Sequence, residues 1–327
     1  MIKSIKKVVV VGLTAAMTMS LLTSCGTKKS GSGEKYKIGV IQLTEHVALD
    51  QANKGFCDRL EELGIEAEID QKNAQGEQST CATIASKFVN DNKDMVLAIA
   101  TPAAQAIAGA TTDIPIVVTA VTDPADSGLV DSNEKPGTNV TGTSDLTPVK
   151  QQMELLVKLL PEAKTVGILY CSAEDNSKFQ ADIAKKEIAN LGLNSKEYTV
   201  SNSNEIQTVV QSMVGEVDVI YAPTDNMIAA GMATVSMVAT ENKIPIIVGE
   251  EGMCNNGGLA TYGIDYYKLG QKTADMAKEI LEDGKDPSEM PIQYLSVDEC
   301  TLTVNQEIAD ELGIDTSVLD EDLATEE

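Results

Sequence analysis

The 327-residue chain has no tryptophan, three phenylalanines and eight tyrosines, so aromatic stacking platforms are scarce. That counts against a site that grips sugar rings between large aromatic faces. Arg59 is the only arginine, which removes the bidentate guanidinium clamp that strongly anionic ligands favour. Lysine and arginine together number 25 against 50 aspartates and glutamates, a formal charge of -25. Nucleic acid is thereby excluded as a partner, because its phosphates require basic neutralisation. His46 is the only histidine, which leaves little for general-base chemistry at neutral pH. No GxSxG, no GxGxxG after a strand and no metal-spaced His/Cys set occurs. The six cysteines show no CxxC or CxxH spacing, so no zinc site is expected. Cys57, Cys81, Cys171, Cys254 and Cys300 read as free thiols, with a disulfide among them left open outside the cell. The chain reads as a non-enzyme without metal or cofactor.

What is present begins with a leader. Lys3, Lys6 and Lys7 precede an apolar stretch at 8–22, too short to span a bilayer comfortably. Leu22-Thr-Ser-Cys25-Gly26 follows and resembles the bacterial lipoprotein box, which implies a signal peptide at 1–24 and lipid on Cys25. Residues 26–34, rich in Gly, Ser and Lys, read as a tether with nothing to bury.

The remainder runs one programme twice: a short apolar run, a polar cluster, then a helical pattern. Residues 95–100, a small-residue helix and Ile114-Pro-Ile-Val-Val118 parallel residues 217–222, a helix and Ile244-Pro-Ile-Ile-Val248. The fold class expected is α/β, two doubly wound parallel-sheet lobes joined by three hinge crossings. The first lobe takes 36–145 with 266–287 and the second 146–265 with 288–314. The crossings fall near Asp145, Asp265 and Pro287, and an acidic, disordered tail occupies 315–327. Thr101 is expected to cap a helix over 102–110, Thr147-Pro148 a helix over 149–160, and one helix spans 227–240.

Several ordered motifs carry a family resemblance. They are Ile41-Gln-Leu-Thr-Glu-His46, Ala98-Ile-Ala-Thr-Pro-Ala-Ala-Gln105, Thr119-Ala-Val-Thr-Asp-Pro124, Ser144-Asp-Leu-Thr-Pro148, Pro223-Thr-Asp-Asn226, Gly249-Glu-Glu-Gly252 and Ala260-Thr-Tyr-Gly-Ile-Asp-Tyr266. Over about 36–314 the chain resembles the substrate-binding lipoproteins of ABC importers, which have the type I periplasmic-binding fold. Within that group it is similar to the tryptophan/tyrosine-binding (TrpX-like) family. The resemblance implies an inter-lobe ligand site, a monomer on the extracytoplasmic face of the membrane, and a permease with its ATPase as partners.

Ligands of open α/β sheets bind beyond the carboxyl ends of the strands, where the polar clusters fall. The candidate ligand-binding residues there are Thr44, Glu45, His46, Thr101, Pro102, Thr122, Asp123, Ser144, Asp145, Tyr170, Thr224, Asp225, Asn226, Glu250, Glu251, Tyr262 and Asp265. A zwitterion suits them. Helix-start amides and hydroxyls at Thr101, Thr122, Ser144 and Thr224 would hold a carboxylate, and the acids would hold an ammonium. Asp225 is the first choice for the ammonium, then Asp145 and Glu250. Thr101, Thr122 and Asp225 read equally well as caps, and Asp145 and Asp265 as braces of the hinge strands. The expected ligand is an amino acid with an aromatic or large apolar side chain. A sugar or nucleoside binder of the same fold, or a sensor serving a surface receptor, fits the same pattern. Cys25→Ala is expected to release the protein from membranes or leave an unprocessed precursor. Fractionation showing unchanged membrane partition of an unacylated chain would contradict the lipoprotein reading.

Overall fold

The structure, a computed structural model, describes residues 35–296 and 299–319. The signal-peptide, Cys25 and tether assignments lie outside these residues, as does the end of the tail from 320 on. Among the described residues no helix is long and apolar enough to cross a membrane.

The first lobe is built on a five-stranded parallel sheet. Its strands are β1 (Tyr36–Gln42), β2 (Ala67–Asn73), β3 (Met95–Ile99), β4 (Ile116–Val121) and β5 (Val140–Ser144), in the order β2-β1-β3-β4-β5. β3 and β4 are buried at every position, because helices cover both faces and leave no need for alternation. The helices are α1 (Val47–Glu62), α2 (Gln78–Asn90) and α3 (Thr101–Ala108).

In the second lobe the chain runs through α4 (Val149–Leu159), β6 (Thr165–Cys171), α5 (Asp175–Asn190), β7 (Asn194–Val200), α6 (Ile206–Met213) and β8 (Val219–Ala222). It continues through α7 (Asn226–Ala230), α8 (Met232–Glu241), β9 (Ile246–Val248), α9 (Glu251–Asn255) and β10 (Ala260–Gly263). Then α10 (Tyr266–Leu281) returns to the first lobe, before β11 (Thr301–Val304) and α11 (Gln306–Leu312) complete the second. The second sheet has the order β11-β10-β9-β8-β6-β7, with only β11 antiparallel. Apolar clusters fill both of its faces.

Four local expectations are corrected. The third crossing lies beyond Pro287: Met290 and Ile292 pack in the first-lobe core, and Gln293 bonds through its backbone to Gly142 and Ser144. β5 is an edge strand, and its outer backbone groups need those partners. The tail is ordered to Leu319, whose fully buried side chain joins the second-lobe core. The helix expected over 227–240 divides at Gly231, whose backbone (φ -97°, ψ 7°) leaves helical geometry. Finally, Thr101 and Thr147 are not caps. Ala100 and Pro148 hold the cap positions, and both threonine hydroxyls are buried without a partner.

The pair α1 and α10 fixes one wall of the cleft, since α1 begins beside His46 and α10 begins with Tyr266. They touch backbone to backbone. A Cβ on Gly55 would stand 2.0 Å from the Tyr267 carbonyl oxygen, and one on Gly270 would stand 2.0 Å from that of Ala52. Gly270→Ala is therefore expected to cost about 1–3 kcal/mol through overpacking. Urea unfolding of the variant checks this, and an unchanged midpoint would show that the helices separate freely.

Candidate functional site

The polar ends of both sheets face each other, and the lobes touch there. Gln105 Nε2 of α3 donates to Asp175 Oδ2 at 3.0 Å, and Gln180 Nε2 of α5 donates to Thr122 Oγ1 at 3.3 Å. Gln78 Nε2 of α2 donates to the Ala173 carbonyl at 3.2 Å, and His46 Nε2 lies 3.2 Å from Asn226 Oδ1. Three of these four contacts converge on residues 173–180, at the start of α5.

Between the lobes lies a narrow cavity of about 10 Å³, room for about one water molecule. Small-molecule sites span roughly 300–1,000 Å³, so a ligand finds room here only when the lobes part. His46, Leu49, Ala120, Asp145 and Tyr266 line it from the first lobe. Asn176, Thr224, Asp225, Asn226, Ala229 and Glu250 line it from the second. The lining holds no lysine or arginine; Arg59 pairs with Asp275 and Glu62 on the outer face of α1.

Each carboxylate has a distinct anchorage. Asp145 accepts from the hydroxyls of Thr122 at 3.1 Å and Tyr266 at 2.8 Å. Asp225 caps α7 through Ile228 N at 2.8 Å and accepts from Cys171 N at 2.6 Å. Glu250 caps α9 through Gly252 N at 2.5 Å and Met253 N at 2.6 Å. Ile228 N at the start of α7, and Gly252 N and Met253 N at the start of α9, therefore already serve the chain's own acids. Asp225, the first choice for an ammonium, is itself committed to two backbone amides. Burial pushes the carboxyls of Asp145 and Asp225 up, and that of Glu250 to about 7. Glu174 behind the wall is pushed to about 8 by burial and by the charge of Asp225.

The remaining candidates fall into groups. His46, Asp145, Thr224, Asp225, Asn226 and Glu250 come together in the cavity. Thr122 and Ser144 support it from behind, Thr122 bonding Asp145 and Ser144 donating to the Thr122 carbonyl at 2.7 Å. Thr44 lies outside, in a larger opening shared with Glu174, Asn202 and Asn226. Glu45 lines a separate surface hollow of the first lobe, and Glu251 is exposed at the start of α9. Asp123 closes its own loop by accepting from Ala125 N, Asp126 N and Asn133 Nδ2. Tyr170 donates to Glu197 at 2.8 Å on the β7 side, Asp265 caps α10, and Thr101 and Pro102 are buried in α3. Tyr262 packs against the second-lobe core.

Leu49, Ala120, Asn176, Ala229, Tyr266 and the buried Glu174 escape the sequence reading. Asn176 and Gln180 stand one turn apart on α5, a spacing that places them on one face and was legible. Ala120 gives no signal: its φ of 54° lies where the pairing of β4 with β5 slips, a conformation usually left to glycine. Gln152, also missed, ties the second-lobe strand ends together. It donates to the carbonyls of Gly249 and Tyr262 and accepts from Tyr221 Oη at 2.7 Å. All five described cysteines are free thiols.

Comparison with known proteins now assigns the class. The family model for ABC transporter substrate binding protein matches residues 37–324, and the chain belongs to that family. It is a substrate-binding protein of ABC type with the type I periplasmic-binding fold. A tyrosine-binding protein of Clostridioides difficile is 44% identical over 321 residues, 94% of this chain and 92% of that protein. A Streptococcus pneumoniae structure in complex with L-Trp is 41% identical, with a TM-score of 0.85, covering 88% of this chain and 98% of that one. A ligand-free, open substrate-binding protein with adhesive properties from Clostridium difficile is 46% identical, covering 86% and 96%. Its TM-score is 0.66, lower despite the higher identity.

The raised carboxyls make stability depend on pH. Glu174 and Glu250 bind protons in the folded state up to about pH 8 and about pH 7, against 4.5 when unfolded. The folded state holds more protons over that window, so stability falls as pH rises through it. His46, whose pKa burial lowers, acts only below the ordinary histidine range and in the opposite sense. Between pH 6.5 and 8 the unfolding free energy is expected to drop by about 1–2 kcal/mol. Glu174→Gln should flatten that slope in urea titrations, and a slope unaltered in the variant would contradict the assignment.

Proposed function

We propose that the protein captures an amino acid with an aromatic side chain between its lobes and delivers it to a membrane permease driven by an ATPase. One observation carries the ligand class: Asp145, Asp225 and Glu250 line a closed cavity that contains no lysine or arginine. Buried carboxylates without a cation are costly, and an α-ammonium supplies the missing charge. A phosphate or dicarboxylate would add to the repulsion. Two relatives support the aromatic side chain, one named for tyrosine binding and one solved with L-Trp. Asp145 is the preferred ammonium partner, because its bonds come from two side-chain hydroxyls rather than from helix-capping amides. The protein acts as a monomer held by lipid on Cys25 at the extracytoplasmic face, and its lobes close about the crossings that follow β5 and β10. The lobe contacts above, and the better match to the L-Trp complex than to the open relative, support a closed arrangement here.

Asp145→Asn keeps the size of the side chain and one of its two acceptor oxygens and removes the charge. Loss of a charge-assisted bond in a closed cleft is expected to cost about 1.5–3 kcal/mol, tenfold to hundredfold in affinity. Calorimetry with L-tyrosine, L-tryptophan, tyramine and 3-(4-hydroxyphenyl)propionate checks this. Removal of the ligand's amine is expected to weaken binding more than removal of its carboxylate. Indifference to the amine, or preferential binding of a sugar or nucleoside, would overturn the proposal.

A further inference from the structure

The front of the cavity presents a single polar ring whose hydrogen positions are fixed by its neighbours. Asn226 Nδ2 donates to Glu174 Oε2 at 2.5 Å, which turns Asn226 Oδ1 toward His46 Nε2 at 3.2 Å. Glu174 Oε2 also accepts from Asn176 Nδ2 and from the Asn226 amide N–H, so it has no room for a proton of its own. It stays an acceptor for Asn226 Nδ2 even when the carboxyl is protonated. An oxygen facing Nε2 accepts, so Nε2 carries the ring proton. In a neutral imidazole Nδ1 is then bare, and Nδ1 is buried with no partner. Burial holds the ring toward its neutral form. Glu174 itself is held by Met227 N at 3.2 Å and Asn176 Nδ2 at 3.2 Å, so the chain of bonds is anchored on both sides.

We propose that Glu174 and Asn226 are positioning residues that set His46 as the Nε2–H tautomer, and that His46 Nδ1 accepts a hydrogen bond from the phenol O–H or indole N–H of the ligand's side chain. The ligand's orientation follows from the lining. Asp145 and Tyr266 adjoin the crossings after β5 and β10, which places the ammonium there. His46 and Leu49, three residues apart at the start of α1, face Asn226 and Ala229 of α7 across the cleft. Apolar contacts around one acceptor fit an aromatic ring with a single donor at its edge. A buried acceptor with no other partner penalises a ligand that offers no donor. The inference rests on the amino-acid reading above and explains how tyrosine or tryptophan would be preferred to phenylalanine.

Because His46 is the only histidine, 15N-histidine labelling of the purified protein gives the signals of one ring. Long-range 1H–15N spectra at pH 7.5 are expected to show the neutral Nε2–H tautomer, and L-tyrosine should shift Nδ1 toward a hydrogen-bonded value while L-phenylalanine does not. A charged ring or an Nδ1–H tautomer would overturn the relay, whatever binds. In calorimetry L-tyrosine is expected to exceed L-phenylalanine by about tenfold or more, from one buried hydrogen bond. His46→Leu should abolish that ratio mainly by weakening tyrosine, and Asn226→Leu should narrow it. Equal affinity for the two ligands in the wild type, or an unchanged ratio in His46→Leu, would overturn the hydrogen bond while leaving the amino-acid reading intact. Failure of every amino acid to bind would overturn both.

Discussion

The structure depends on a charge imbalance held between two surfaces. Asp145 belongs to the first lobe and Asp225 and Glu250 to the second, so closing the cleft brings like charges together in a space with little water. Coulomb repulsion and desolvation both oppose that arrangement. Part of the cost is relieved locally: two of the carboxylates cap short helices, and the third accepts two hydroxyls. The rest favours protonation: burial raises the carboxyl of Glu250, and that of Glu174 behind the wall rises with it. An ammonium does the same work without a proton. Ligand and proton are thus rivals for the same sites, which makes closure conditional on what occupies the cleft.

The elements around the cavity serve to keep that imbalance in place. Backbone contact between α1 and α10 holds His46 and Tyr266 at a set distance, while Gln152 binds the second-lobe strand ends into one frame. The start of α5 reaches across the cleft through Ala173, Asp175 and Gln180 and supplies Glu174 to the wall. Closure energy is spread over several hydrogen bonds, one of them to the Asp175 carboxylate, each worth about 1–3 kcal/mol net. None of these is strong enough to lock the lobes, and together they suffice to bias them.

Most of the fold was legible because its signals are local. Unbroken apolar runs identified the buried parallel strands, and the repeated run-cluster-helix programme revealed two lobes and the side on which a ligand binds. The third crossing was not legible, since Gln293 joins the first sheet only to satisfy an edge strand that no composition rule identifies. The site was legible by chemical type and less so by role. His46, Asp145, Asp225, Asn226 and Glu250 were recognised as polar residues at strand ends and do meet in the cavity. Whether an acid there caps a helix or faces a ligand depends on its last few ångströms, which spacing does not encode. Glu174, Ala120 and Tyr266 were missed for a related reason: their importance comes from what folds against them.

The central claim is that the cavity exchanges protons for an ammonium. Calorimetry of L-tyrosine binding at pH 7, repeated in buffers of different ionisation enthalpy, measures the protons transferred on binding. With burial raising the carboxyls of Glu250 and Glu174, net release of protons on binding is expected. Binding that takes up protons, or that leaves their number unchanged, would contradict the account.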